Sequence, residues 1–167
     1  MNAPILEPRL NYQKASPEGL KAMLQLEHVV RTSPLEKKLI ELVKIRASQL
    51  NGCAFCLDMH TKDARLLGET EQRIYALTAW EETPFYTERE RAALAWTEAL
   101  TNIQQGHAPD AVYEAVAAQF SEAELVNLTL AITTINAWNR ISIGFRVVPG
   151  SYQPLVRRRP ETAEEAH

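Results

Sequence analysis

The chain has two cysteines, Cys53 and Cys56, and both fall in one short stretch, CAFCLDMH, that ends in His60. Two cysteines separated by two residues can close a disulfide with little strain when they open a helix. Asn51-Gly52 breaks the chain just before them, so the spacing predicts both cysteines in the first turn of a new helix. There the unpaired backbone amides and the positive end of the helix dipole favour a thiolate. His60 lies four residues after Cys56, which on a helix puts both side chains on one face. An imidazole so placed can take the thiol proton directly or through one water. Glu41 precedes Cys53 by twelve positions, on the preceding helix. A helical hairpin turning at Asn51-Gly52 would bring its carboxylate back over the Cys–His face.

Each of these residues also has a plainer use. A C-x-x-C pair can be two small buried hydrophobes. His60 alone reads as a satisfied or surface histidine. Glu41 shares a helix face with Lys37, Lys44 and Ser48, so a solvated stripe of ion pairs would explain it. Cys53, Cys56, His60 and Glu41 could also bind zinc. Structural zinc sites usually draw on a second cysteine or histidine pair, and the chain has no further cysteine, so zinc ranks below thiol redox chemistry. The usual redox C-x-x-C also expects a β-α-β neighbourhood, which is missing here and disfavours a thioredoxin fold.

The elements that must position these residues are all helical. Apolar residues recur at helical spacing, as in Leu35, Leu39, Leu42 and Val43, and again in Leu125, Leu128, Ile132 and Ile135. Ser33 to Glu36, Thr87 to Glu90 and Ser121 to Glu124 read as capping boxes, and Pro17 suits a first helical position. The pattern predicts helices near 16–31, 34–50, 53–67, 70–80, 87–105, 109–119 and 121–144, and no sheet. The chain thus reads as one all-α domain, a bundle of about seven helices over 16–146. It is flanked by an extended N-terminal segment, 1–15, and a C-terminal tail, 147–167. Ile5, Leu6, Leu10, Leu155 and Val156 in these ends would be odd on free tails, and packing across a subunit boundary would explain them.

A net charge of −3 over 167 residues provides no basic field for nucleic acid, and Arg157-Arg158-Arg159 is followed at once by glutamates. No stretch has the roughly 18 unbroken apolar residues of a membrane span, and the N-terminus lacks a secretory pattern. A cytoplasmic location is expected, where the cysteines would be reduced at rest. Nothing in the pattern calls for a cofactor or a metal.

Glu41, eleven residues, then Cys53-Ala-Phe-Cys56-Leu-Asp-Met-His60 resembles the AhpD-like (alkylhydroperoxidase D, carboxymuconolactone decarboxylase) superfamily, whose redox-active members carry this composite motif. The flanking KIRASQLNGCAFCLDMH is similar to the family core, and Asn136-Ala-Trp138-Asn139-Arg140 resembles the last helix of its shorter, peroxidase-related members. The resemblance spans about residues 20–145. It implies that Cys56 attacks a hydroperoxide, that Cys53 resolves the resulting sulfenic acid, and that His60 with Glu41 relays protons. It implies an external dithiol donor, thioredoxin-like or a lipoyl protein, and a homo-oligomer, trimer or hexamer. Phe55 stands where alkylhydroperoxidase D has a histidine, and phenylalanine cannot pass a proton. Slower turnover or a different partner is the expected consequence.

Three functions follow in order of preference. The first is a thiol-dependent peroxidase acting through Cys53 and Cys56. The second is a non-catalytic redox sensor or scaffold, and the third a lactone decarboxylase-like enzyme on the same fold. For Asn136, Trp138 and Asn139, packing and satisfaction of buried backbone groups is preferred over substrate contact.

Overall fold

One helix, Lys37–Asn51, sits at the centre, with nine of its fifteen residues buried. In the computed structural model, which describes residues 6–154, the helices in chain order are α1 (Tyr12–Ala15), α2 (Pro17–Thr32), α3 (Lys37–Asn51), α4 (Ala54–Leu66), α5 (Glu71–Ala76), α6 (Glu88–Thr101), α7 (Asp110–Ala117) and α8 (Glu122–Phe145). Short 3-10 turns follow α5 and α6. No strand occurs among the described residues, so the all-α expectation holds. No helix among them is long and apolar enough to cross a membrane.

Helix α3 packs against α4, α6 and α8 together. Val30, Leu39, Ile40, Val43, Ala93, Leu128 and Ile132 form the largest buried cluster, where α2, α3, α6 and α8 meet. Leu42, Ile45, Leu77, Trp80 and Leu94 form a second cluster on the other flank of α3. Cys53, Cys56, Ala47 and Ile135 make a third, with Phe55 and Trp138 half-buried against it. The last helix therefore closes one side of the cysteine pair.

Two capping boxes form as the sequence predicts, at Thr87 with Glu90 and at Ser121 with Glu124. The one expected at Ser33 does not form. Ser33 instead ends α2, its hydroxyl donating to the Val30 carbonyl, and α3 starts later with Glu36 as its flanking residue. Pro34 explains the shift, because the residue before a proline is pushed out of the helical region. The N-terminal segment is not extended throughout. Its helix α1 stacks Tyr12 on Phe145 of α8 at 6.1 Å between ring centroids, and the Arg9 amide donates to the Phe145 carbonyl. Leu6 and Leu10 remain exposed, while Ile5, Leu155, Val156 and the basic run lie outside the described residues.

The α3–α4 hairpin turns at Gly52, with φ 68° and ψ 33° in the left-handed region. The Cys53 amide donates to the Ser48 carbonyl and the Gly52 amide to the Gln49 carbonyl, which together satisfy the open end of α3. A Cβ at Gly52 would touch nothing, so the demand for glycine is conformational alone. Gly52→Ala is expected to lower unfolding stability by about 1–2 kcal/mol, the cost of a left-handed non-glycine residue. Urea titration of the purified variant checks it; an unchanged midpoint would mean that the turn relaxes freely.

Candidate functional site

Cys53 is the flanking residue at the start of α4 and Cys56 lies in its first turn. Both thiols are free and buried, Cys53 completely and Cys56 at 3% exposure. Their sulfurs stand 2.7 Å apart, inside non-bonded contact and approaching the ~2.05 Å of a disulfide bond. Ser142 of α8 places its hydroxyl 3.8 Å from the Cys56 sulfur. The two thiols shift each other's ionisation in opposite directions. A hydrogen bond from Cys56 lowers Cys53 to about 7, with the Cys56 backbone amide, Ser142 and Asn139 assisting. The same bond pushes Cys56 up, and burial adds to it. The easier ionisation thus falls on Cys53 in this geometry, whereas the helix start by itself favours a thiolate at either position.

His60 and Glu41 meet as the sequence predicts. The imidazole Nδ1 lies 2.8 Å from Glu41 Oε2, and both side chains are buried. Burial alone would raise the Glu41 carboxyl. The hydrogen bond and charge of His60, together with Lys44 and Arg31, overcome that and hold it below its ordinary value of 4.5. No direct hydrogen bond joins His60 to either sulfur among the described residues, so a proton passing between them travels through an intermediary such as water.

The solvated-stripe reading of Glu41 fails. Glu41, Lys44 and Ser48 are all buried, and Lys44 is fully so. The ammonium of Lys44 pairs with Glu27 of α2 rather than with Glu41. Helix α3 is enclosed by its neighbours, so the charged face that would be wet on an isolated helix has become an internal ion network.

A layer of amides locks the hairpin to α8. Asn51 Nδ2 donates to Asn136 Oδ1 at 3.0 Å and to Asn139 Oδ1 at 2.9 Å. Asn139 Nδ2 donates to Ser48 Oγ at 3.0 Å, and Asn136 Nδ2 to Thr101 Oγ1 at 3.0 Å. These two asparagines therefore satisfy buried groups, as expected: mostly side chains, with the Ile132 carbonyl as a backbone acceptor of Asn136 at 3.0 Å. Ser142 was not singled out from the sequence, yet Asn136, Asn139 and Ser142 recur every three residues on an otherwise apolar helix, a legible sign of one polar face. Asp63, three residues after His60 on α4, joins the Glu41–His60 pair. One carboxylate oxygen each from Glu41 and Asp63 and one ring nitrogen of His60 lie within 4.8 Å of one another. Such a set could hold a divalent cation, but Arg31 already stands 3.8 Å from Asp63 Oδ2 and Lys44 also faces Glu41, so an ion-paired network accounts for the carboxylates. The four residues of the rival zinc reading do not converge either, since the thiols and the Glu41–His60 pair form separate hydrogen-bonded units.

The fold and the site define an all-helical, AhpD-like protein with a buried dithiol beside a carboxylate–imidazole pair. Residues 17–99 match the carboxymuconolactone decarboxylase family. The uncharacterized protein YdfG of Bacillus subtilis is 49% identical over 138 residues, covering 83% of this chain and 94% of YdfG. The crystal structure of an Agrobacterium tumefaciens protein of unknown function, provisionally assigned to antioxidant defence as AhpD, superposes with a TM-score of 0.84. It is 49% identical and covers 87% of this chain and all of that one. The debrominase Bmp8 superposes at 0.73 with 20% identity, over 83% of this chain and 75% of its own, which speaks for the fold alone. The chain belongs to the carboxymuconolactone decarboxylase family.

The depressed Glu41 carboxyl has a consequence for acid stability. A carboxyl with a lowered folded pKa contributes stability that is fully present above its unfolded value and lost as pH falls through the folded one. Wild-type protein should therefore lose this contribution below pH 4.5. Glu41→Gln should be less stable at neutral pH and flatter in its acid dependence, as read by urea titration at a series of pH values. Equal slopes for both proteins would show that Glu41 ionisation is not coupled to folding.

Proposed function

We propose that this chain reduces hydroperoxides through Cys53 and Cys56 and is restored by an external dithiol. The observation that carries the reading is the 2.7 Å approach of two reduced sulfurs at a helix start, backed by a buried carboxylate–imidazole pair. A single ionisation near neutrality supplies the thiolate. Proton exchange across the short S–S contact lets the charge sit on either sulfur. Cys56 is the sulfur with residual exposure and has His60 one turn further along α4, so it is the proposed nucleophile.

The Cys56 thiolate attacks the outer peroxide oxygen. The S–O bond forms as the O–O bond breaks, and the departing alkoxide takes a proton, giving a sulfenic acid and an alcohol. Cys53 then attacks the sulfenic sulfur and expels water, forming the Cys53–Cys56 disulfide before overoxidation. A dithiol donor, thioredoxin-like or lipoyl-bearing, transfers two electrons and two protons to regenerate both thiols. The Glu41–His60 pair handles the protons, through water where it does not touch sulfur. Phe55 and Trp138 flank the pair with apolar surface, which suits an organic hydroperoxide. A reducing cytoplasm and a homo-oligomer, trimer or hexamer, complete the proposal.

Peroxide consumption with a dithiol donor tests it. Wild-type protein should turn over many times, and Cys56→Ser should lose essentially all activity. A single oxidation that then stops would favour a redox sensor. Decarboxylation of a lactone that survives loss of both cysteines would favour the third reading, and full peroxidase activity in Cys56→Ser would overturn the choice of nucleophile. The rate of alkylation against pH provides a separate check. Its midpoint is expected near the lowered value of about 7. A midpoint near the unperturbed value of about 8.5 would count against an activated pair.

A further inference from the structure

The nine described residues after α8, 146–154, turn back against α4 rather than trailing from the bundle. The Gly150 amide donates to Asp58 Oδ2 at 3.0 Å, and Lys62 Nζ donates to the Tyr152 carbonyl at 3.0 Å. These two contacts deliver the Tyr152 phenol to Asp63, where it donates to Oδ1 at 2.7 Å. Burial, then the bond to Asp63, pushes the Tyr152 phenol up to about 12, so it stays protonated and remains a donor. Asp63 is 8% exposed, and its other oxygen, Oδ2, accepts no hydrogen bond. That oxygen faces Arg31 at 3.8 Å without a direct hydrogen bond, which leaves it open to a bridging water.

We propose that Asp63, held by Tyr152 of the C-terminal segment, is a positioning residue for the Glu41–His60 pair and sets the charge balance under which that pair handles protons. This deepens the dithiol peroxidase reading and rests on it. The separation of at most 4.8 Å between one oxygen of Asp63 and one nitrogen of His60 allows a single bridging water. The groups that face the cluster come from every element around it. Helix α2 contributes Arg31, which pairs with Glu27 at 3.4 Å and stands 3.8 Å from Asp63 Oδ2. Helix α3 contributes Glu41 and Lys44, the latter paired with Glu27. Helix α4 contributes His60 and Asp63, and the C-terminal segment contributes Tyr152. Two cations thus face three carboxylates and one imidazole. Removing the Asp63 charge would make the cluster less negative, which favours loss of a proton from the groups around it.

Asp63→Asn and Tyr152→Phe test this, with the rates of thiol alkylation and of peroxide consumption each measured against pH. Asp63→Asn should move the acidic limb of the peroxide profile to lower pH by about one unit, the scale of losing a charge within ~4–6 Å of His60, and that of the alkylation profile in the same direction by less. Tyr152→Phe keeps the charge and loses only the anchor. It should slow peroxide consumption severalfold and move the limb by less than half as much. Profiles of wild-type shape and position in Asp63→Asn, or wild-type rates in Tyr152→Phe, would overturn the proposal. Should Asp63→Asn fail to fold, Tyr152→Phe decides by itself through its rate. If the wild-type protein consumed no peroxide, the peroxidase reading would fail, while the alkylation profile of Asp63→Asn would still decide whether Asp63 sets the charge balance.

Discussion

The reversal at Gly52 is the constraint on which the site depends. A left-handed residue at that point folds α4 back along α3, so that Glu41 and His60, nineteen residues apart, come within hydrogen-bonding distance. The same turn aims the first turn of α4, with both sulfurs, into the angle between α3 and α8. Asn51 holds that angle, because its amide donates to both Asn136 and Asn139. Turn, thiols and last helix are therefore one mechanical unit. A displacement at any of the three would change the S–S approach.

Burial then decides the chemistry. In water a glutamate, a lysine and a histidine on neighbouring turns would be a weak surface network. Here α3 is enclosed, and each charge must find a partner: Lys44 with Glu27, Glu41 with His60, Asp63 with Tyr152 and Arg31. Close approach in a poorly screened interior makes these groups sensitive to one another. The sulfurs show the same logic. With almost no water at hand, the thiolate of one takes its hydrogen bond from the other.

Much of this was legible beforehand. Helical periodicity located α2, α3, α6 and α8, because their apolar stripes are long and their starts at Thr87 and Ser121 carry their own hydrogen-bonding partners nearby. The start at Ser33 was misplaced because a proline overrode a capping pattern. The composite of Glu41, Cys53, Cys56 and His60 was readable because helical spacing and one Asn-Gly break suffice to fold it. Asp63 could have been found by the same spacing, one turn after His60. Tyr152 could not, since nothing local to an extended tail says which helix it will cross.

The sequence by itself determined an all-helical chain, a dithiol at a helix start and a carboxylate opposite a histidine, because those features follow from short-range spacing. Only the tertiary structure decided that Glu41 and Lys44 are internal and that Ser142 and the asparagine layer reach the hairpin. It also decided that the C-terminal segment returns to Asp63 and that the two sulfurs lie close enough to shift each other's ionisation. Each of these depends on which faces of distant helices meet, and so on burial and desolvation, which local spacing does not encode.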